Sequence, residues 1–170
     1  MAFATAADIE AFLAEPKTIF GHPPWDADES RARVLLRASL QLQDGRIPGN
    51  VFLQLVATLH TTPQRGSMVL VCDGRPVQRM SYRPDHPHAN PFHKKVFKAL
   101  RGLTLPAGLT RIHRWRENRV WPRPPDDNLP VAEPVTPEPK SYADAMQIFF
   151  RECGIEGSVE PPPWEPRLVS

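Results

Sequence analysis

The chain has 170 residues, 41% hydrophobic and 24% charged, with 21 prolines, two cysteines and a formal net charge of +2. That length predicts one core with an appended tail, and the apolar fraction excludes wholesale disorder. No apolar run approaches the ~18 residues that span a bilayer. Residues 1–10 carry Asp8 and Glu10 but no Lys or Arg, unlike a secretory leader. Cys72 and Cys153 are too few for a disulfide framework, so a cytoplasmic setting is expected.

The small net charge hides a segregation. Residues 1–64 hold five Lys/Arg against seven Asp/Glu, residues 65–123 hold thirteen against three, and residues 124–170 hold three against nine. A segment carrying +10 is a footprint for a polyanion such as RNA or another nucleic acid, or a solvated face balanced by the chain's own acidic tail. A tail that folds back would compete with the polyanion.

Thr5-Ala6-Ala7-Asp8 is a capping box opening a helix with Ile9, Phe12 and Leu13 on one side, and Pro16 ends it. Residues 17–30 read as a loop. From Arg31 the period becomes two, with Val34, Leu36, Ala38, Leu40 and Leu42 on one face of a single strand. A second strand follows over 51–61. Residues 67–72 and 77–82 then form a hairpin around Asp73-Gly74. Asn90-Pro91 predicts a helix start, His93, Val96, Phe97 and Leu100 its stripe, and Gly102 its stop. Residues 109–117 return as a strand, Asn118 turns, and Arg119 to Trp121 pairs back.

Pro122 to Pro139 contains seven prolines and predicts an extended strap. Ser141-Tyr142-Ala143-Asp144 opens a last helix whose stripe is Tyr142, Ala145, Met146, Phe149, Phe150 and Cys153. That stripe must be buried, on the main body or on a protein partner docked at 141–153. The expected fold is α+β: a mostly antiparallel sheet of about five or six strands with flanking helices. The expected units are a core over 1–121, the strap over 122–139, and a helix and tail over 140–170.

Four of the six histidines lie between 86 and 113: His86, His88 and His93 in one element and His113 in a second, Arg111-Ile112-His113-Arg114-Trp115. Three readings are open. Two imidazoles with ordinary pKa near 6.5 exchange protons with an RNA 2′-hydroxyl and its leaving oxygen, while Lys94, Lys95, Arg111 or Arg114 hold the phosphate, with no metal or cofactor needed. Alternatively His86 and His88, with His93 or His113 and Asp85, form a metal site. Or the histidines simply cap, fill a turn and decorate a basic surface. Phe97 and Trp115 are candidates to stack bases, although the stripe position of Phe97 assigns it to the core and leaves Trp115 the more open. Cys72 reads as a small buried hydrophobe, and Asp26, Asp28 and Glu29 as a solvated acidic trio.

Arg83-Pro84-Asp85, His88-Ala89-Asn90-Pro91, His113 followed by Trp115, and Trp121 resemble the pattern of a family of short bacterial proteins: Arg-x-Asp, His-x-Asn-Pro, a His-x-His-x-aromatic strand and a following Trp. The match covers about forty residues, and Arg111 stands where the first histidine of the strand pair would be. By analogy of layout with small ribonuclease toxins of toxin–antitoxin or phage-defence loci, the resemblance implies a metal-independent endoribonuclease. The expected catalytic residues are His88 and His113, with His86 orienting or substituting. The expected nucleic-acid contacts are Arg111, Lys94, Lys95, Arg114 and Trp115. The alternative is a non-catalytic nucleic-acid-binding or adaptor subunit of a multiprotein complex.

Overall fold

The computed structural model describes residues 3–28, 31–119 and 129–164. Helix α1 (Ala6–Ala14) starts at the predicted box: Asp8 N–H donates to Thr5 Oγ1 at 3.3 Å, and Thr5 N–H donates to Asp8 Oδ2 at 2.7 Å. Ile9 and Phe12 face inward. The stretch read as a loop instead supplies β1 (Lys17–Ile19) and β2 (Asp26–Asp28). Three residues are too few to show an alternation, and partners distant in sequence define both strands.

The single strand expected from Arg31 breaks at Ser39 into β3 (Arg33–Ala38) and β4 (Leu40–Leu42). The alternation survives, because Val34, Leu36, Ala38, Leu40 and Leu42 are all buried. The Ser39 carbonyl accepts the Phe20 N–H, and β4 leaves the larger sheet to pair with β1. Next come β5 (Val51–Thr58), β6 (Arg65–Cys72) and β7 (Arg75–Tyr82). Asp73 and Gly74 both take positive φ, as the two-residue hairpin requires. The remaining elements are β8 (His88–Ala89), β9 (Thr104–Leu105), β10 (Arg111–His113), α2 (Trp115–Asn118), β11 (Glu133–Pro134), α3 (Tyr142–Glu152) and β12 (Ile155–Glu156).

Among the described residues the main sheet has seven strands, not five or six, in the order β11-β10-β7-β6-β5-β3-β2, and every neighbouring pair is antiparallel. A second sheet, β12-β1-β4, contains one parallel pair, and β8 and β9 form a separate ribbon. The fold is therefore α+β and mostly antiparallel. One face of the main sheet, with Leu36, Leu53, Leu55, Met80 and Ile112, packs against α1 and the stripe of α3. Tyr142, Ala145, Met146, Phe149 and Phe150 are thus buried on the chain's own sheet, the first of the two expected ways of covering this stripe. Of the expected strap over 122–139, residues 122–128 lie outside the described residues; from Leu129 onward it contributes β11 at the sheet edge. No helix among the described residues is long and apolar enough to cross a membrane.

Two close approaches fix the helices. Buried Lys17 donates from Nζ to the carbonyls of Glu15 and Cys153, each at 2.6 Å, tying the C-terminal ends of α1 and α3 together. Burial pulls its pKa down to about 8. Gly66 lets α3 approach β6, because a Cβ there would run into the Tyr142 ring and the Val56 carbonyl. Gly66→Ala therefore forces Tyr142 out of place, and thermal or urea unfolding should show a loss of about 1–3 kcal/mol.

Candidate functional site

The second face of the main sheet, away from the helices, carries titratable side chains of β7 and β10. In the β7–β10 register Arg79 stands opposite His113, and Ser81 opposite Arg111. Since Met80, Tyr82 and Ile112 point into the core, alternation sends Arg79, Ser81, Arg111 and His113 to the other side.

His88 and His113, expected as a pair, do meet: their rings pack edge to face with centroids 5.0 Å apart. Their nitrogens are already engaged. His113, 1% exposed, lies with Nδ1 2.6 Å from the Leu129 carbonyl, which can only accept, so Nδ1 carries the proton. His88 Nε2 lies 3.0 Å from the Pro130 carbonyl and 3.1 Å from Asn90 Oδ1, so Nε2 is its donor. The next two residues are held in the same manner. Asn118 donates to the Val131 carbonyl at 2.9 Å and accepts from Val131 N–H at 2.8 Å; Asn90 does the same to Ala132 at 2.7 and 2.8 Å. The second amide hydrogens of Asn118 and Asn90 go to the carbonyls of Arg114 and Leu100. Four side chains thus grip four consecutive residues, 129–132, through their backbone.

Burial lowers the pKa of both imidazoles, and the neighbouring guanidiniums add to it. For His113 the largest charge effect is Arg79, whose Nη2 lies 3.3 Å from each ring nitrogen; for His88 it is Arg111. Both rings are neutral near pH 7. Arg79 and Arg111 are themselves pushed below the ordinary arginine value by burial, with Arg111 adding repulsion at Arg79.

His86 stands apart, with its side chain 70% exposed. Its Nδ1 lies 3.0 Å from Asp85 Oδ1, and Arg111 reaches its carbonyl and Nε2, both at 3.1 Å. Lys94 and Lys95 are exposed, and residues 91–102 are not the predicted helix. They form successive turns, with Val96 N–H bonded to His93 O and Leu100 N–H to Phe97 O. Asn90 spends its side chain on residues 100 and 132 rather than on capping, and Lys94 and Lys98 would repel as an i,i+4 pair. Of the predicted stripe only Val96 is buried; Phe97 is 57% exposed and Phe92 86%. The assignment of Phe97 to the core is therefore corrected.

Arg114, expected to hold a phosphate, is paired with Glu133 and with Glu152 at 2.8 Å. Trp115 belongs to α2 rather than to a strand face beside His113. It packs against the core, and its Nε1 donates to the Ala6 carbonyl at 3.3 Å. The strand expected over 119–121 is absent at Arg119, which caps α2, and the rest of it lies outside the described residues. Acids from the rest of the chain do reach the basic segment: Glu10 pairs with Arg119, and Glu133 with Arg114 and Arg116. Among the described residues, no three His, Cys, Asp or Glu side chains come together to hold a metal ion. The chain matches no protein-family model, no curated protein and no solved structure.

Sequence reasoning passed over Arg79, Asn118 and the structural use of Asn90. Arg79 was legible as the outward position between inward Gln78 and Met80; the asparagines carry no local signal. Because the histidine pKa values are depressed in the fold, their stability contribution is present above about pH 6.5 and is lost as pH falls below it. Thermal unfolding should weaken between pH 7 and 5.5, by at most about 1.4 kcal/mol per pH unit for each histidine. His113→Gln should be less stable than the wild type at pH 7.5 but flatter in that window.

Proposed function

We propose that the protein binds single-stranded nucleic acid through the loop 90–103. The observation that carries this reading is Phe92 and Phe97 exposed among Lys94, Lys95 and Lys98 on a loop whose base is rigidly anchored. The β8–β9 ribbon closes the loop, Asn90 staples it to residues 100 and 132, and Arg101 donates to the carbonyls of Lys94 and Val96. Apolar rings of that size are normally buried, and a well-tethered loop that exposes two of them is arranged for contact. Aromatic faces accept any unpaired base, and ammonium groups between them follow the phosphates. In a duplex the base faces are already stacked, so the pattern favours single strands.

A second reading is a metal-independent endoribonuclease. The contact between His88 and His113 beside two arginines favours it, but cleavage there needs residues 129–132 withdrawn from the rings. Fluorescence anisotropy with labelled single-stranded RNA and DNA tests the first reading, and chelator-resistant cleavage of the same RNA tests the second. Phe92→Ser/Phe97→Ser should weaken binding at least tenfold, since a stacked base is worth ~1–3 kcal/mol. Lys94→Glu/Lys95→Glu should weaken it and reduce the salt dependence. Binding that is flat in salt and indifferent to the phenylalanines would contradict the proposal.

A further inference from the structure

On the same outer face, three strands place Ser67, Ser81 and Arg111 in one row: Ser67 is registered with Ser81, and Ser81 with Arg111. Beside this row opens a cavity of about 200 Å³ whose polar wall is Thr58, Arg65, Ser67, Ser81, Asp85 and His86. Among the described residues, neither serine hydroxyl has a hydrogen-bond partner. Arg111 backs the His86 ring. It is 2% exposed, has no carboxylate partner among the described residues, and its Nε is buried without a hydrogen bond. A buried guanidinium left uncompensated is costly, and the cost is offset when an anion sits within reach.

We propose that this cavity binds a phosphate group. A phosphate dianion accepts from the two hydroxyls and from Arg65, while the charge of Arg111 behind the His86 ring balances it. Asp85 is the carboxylate on the wall; it holds Arg65 at 3.4 Å and His86 at 3.0 Å and so occupies the donors that an anion would use. The same chemistry is offered by inorganic phosphate and by the terminal phosphate of a nucleic-acid strand. His86 and Phe92 are six residues apart, hence within ~20 Å, so one short oligonucleotide reaches both cavity and loop. Only that second source rests on the nucleic-acid reading.

The test is an amide-resonance NMR titration of the full chain with inorganic phosphate. Shifts should centre on Ser67, Ser81 and His86. Ser67→Ala/Ser81→Ala should weaken binding about tenfold, because hydrogen bonds to a charged group are lost. Asp85→Asn, which frees the donors, should tighten it at least threefold. All three positions are partly or fully exposed, so these variants keep the core intact. Shifts confined to Lys94 and Lys95, or equal affinity in all three proteins, overturn the proposal. In the oligonucleotide arm, a 5′-phosphorylated single strand should bind at least fivefold more tightly than its 5′-hydroxyl form, and the serine variant should erase the difference. If inorganic phosphate binds and neither oligonucleotide does, the cavity stands and the nucleic-acid reading falls. If both oligonucleotides bind equally and inorganic phosphate does not, the cavity falls alone.

Discussion

Four side chains holding the backbone of residues 129–132 are the constraint on which the outer half of the molecule depends. His113 holds Leu129, His88 holds Pro130, Asn118 holds Val131 and Asn90 holds Ala132. An extended segment crossing the interior exposes carbonyls and N–H groups to apolar surroundings, and each unpaired one costs about 1–3 kcal/mol. The two asparagines act here as a strand would, each offering a donor and an acceptor to one residue. Next in the chain, β11 joins the sheet edge beside β10, with Ile112 opposite Glu133. The same Asn90 closes the base of the loop 90–103. A single buried amide therefore couples the path of the C-terminal segment to the geometry of an exposed surface.

Six of the thirteen cations of the middle segment serve two contrasting uses. Arg114, Arg116 and Arg119 are paired with Glu133, Glu152, Glu117 and Glu10, and join the helices to the sheet. Lys94, Lys95 and Lys98 remain in solvent, where ammonium groups keep their hydration and hold phosphates without a desolvation cost. Arg111 belongs to neither group. It is buried, bonded to His86, and without a carboxylate among the described residues, beside the cavity lined by Ser67 and Ser81.

The strong periodicities were legible. The capping box at Thr5, the alternation from Val34 to Leu42, the Asp73-Gly74 hairpin and the stripe of α3 each state their structure locally, because propensity, pattern and turn chemistry agree. The errors lie where tertiary bonds override local pattern. Residues 91–102 have a helical stripe and a good start, yet the Asn90 amide is drawn into the interior and the lysines crowd one another. Residues 109–117 alternate like a strand, yet Gln78 Oε1 accepts the Trp115 N–H and the chain turns into α2. Neither the meeting of His88 and His113 nor their engagement with residues 129–132 was legible, since β8 and β10 lie in different sheets and no spacing rule links a histidine to a backbone carbonyl sixteen or more residues away.

In the proposed reading the anchored loop, not the buried imidazoles, is the contact surface. Ultraviolet cross-linking of the protein to single-stranded RNA, followed by mass-spectrometric mapping of the joined residue, tests this most directly. The account predicts cross-links at Phe92 or Phe97, which share one loop with the exposed lysines. Cross-links confined to the Trp115 surface, or to His88 and His113, would contradict it.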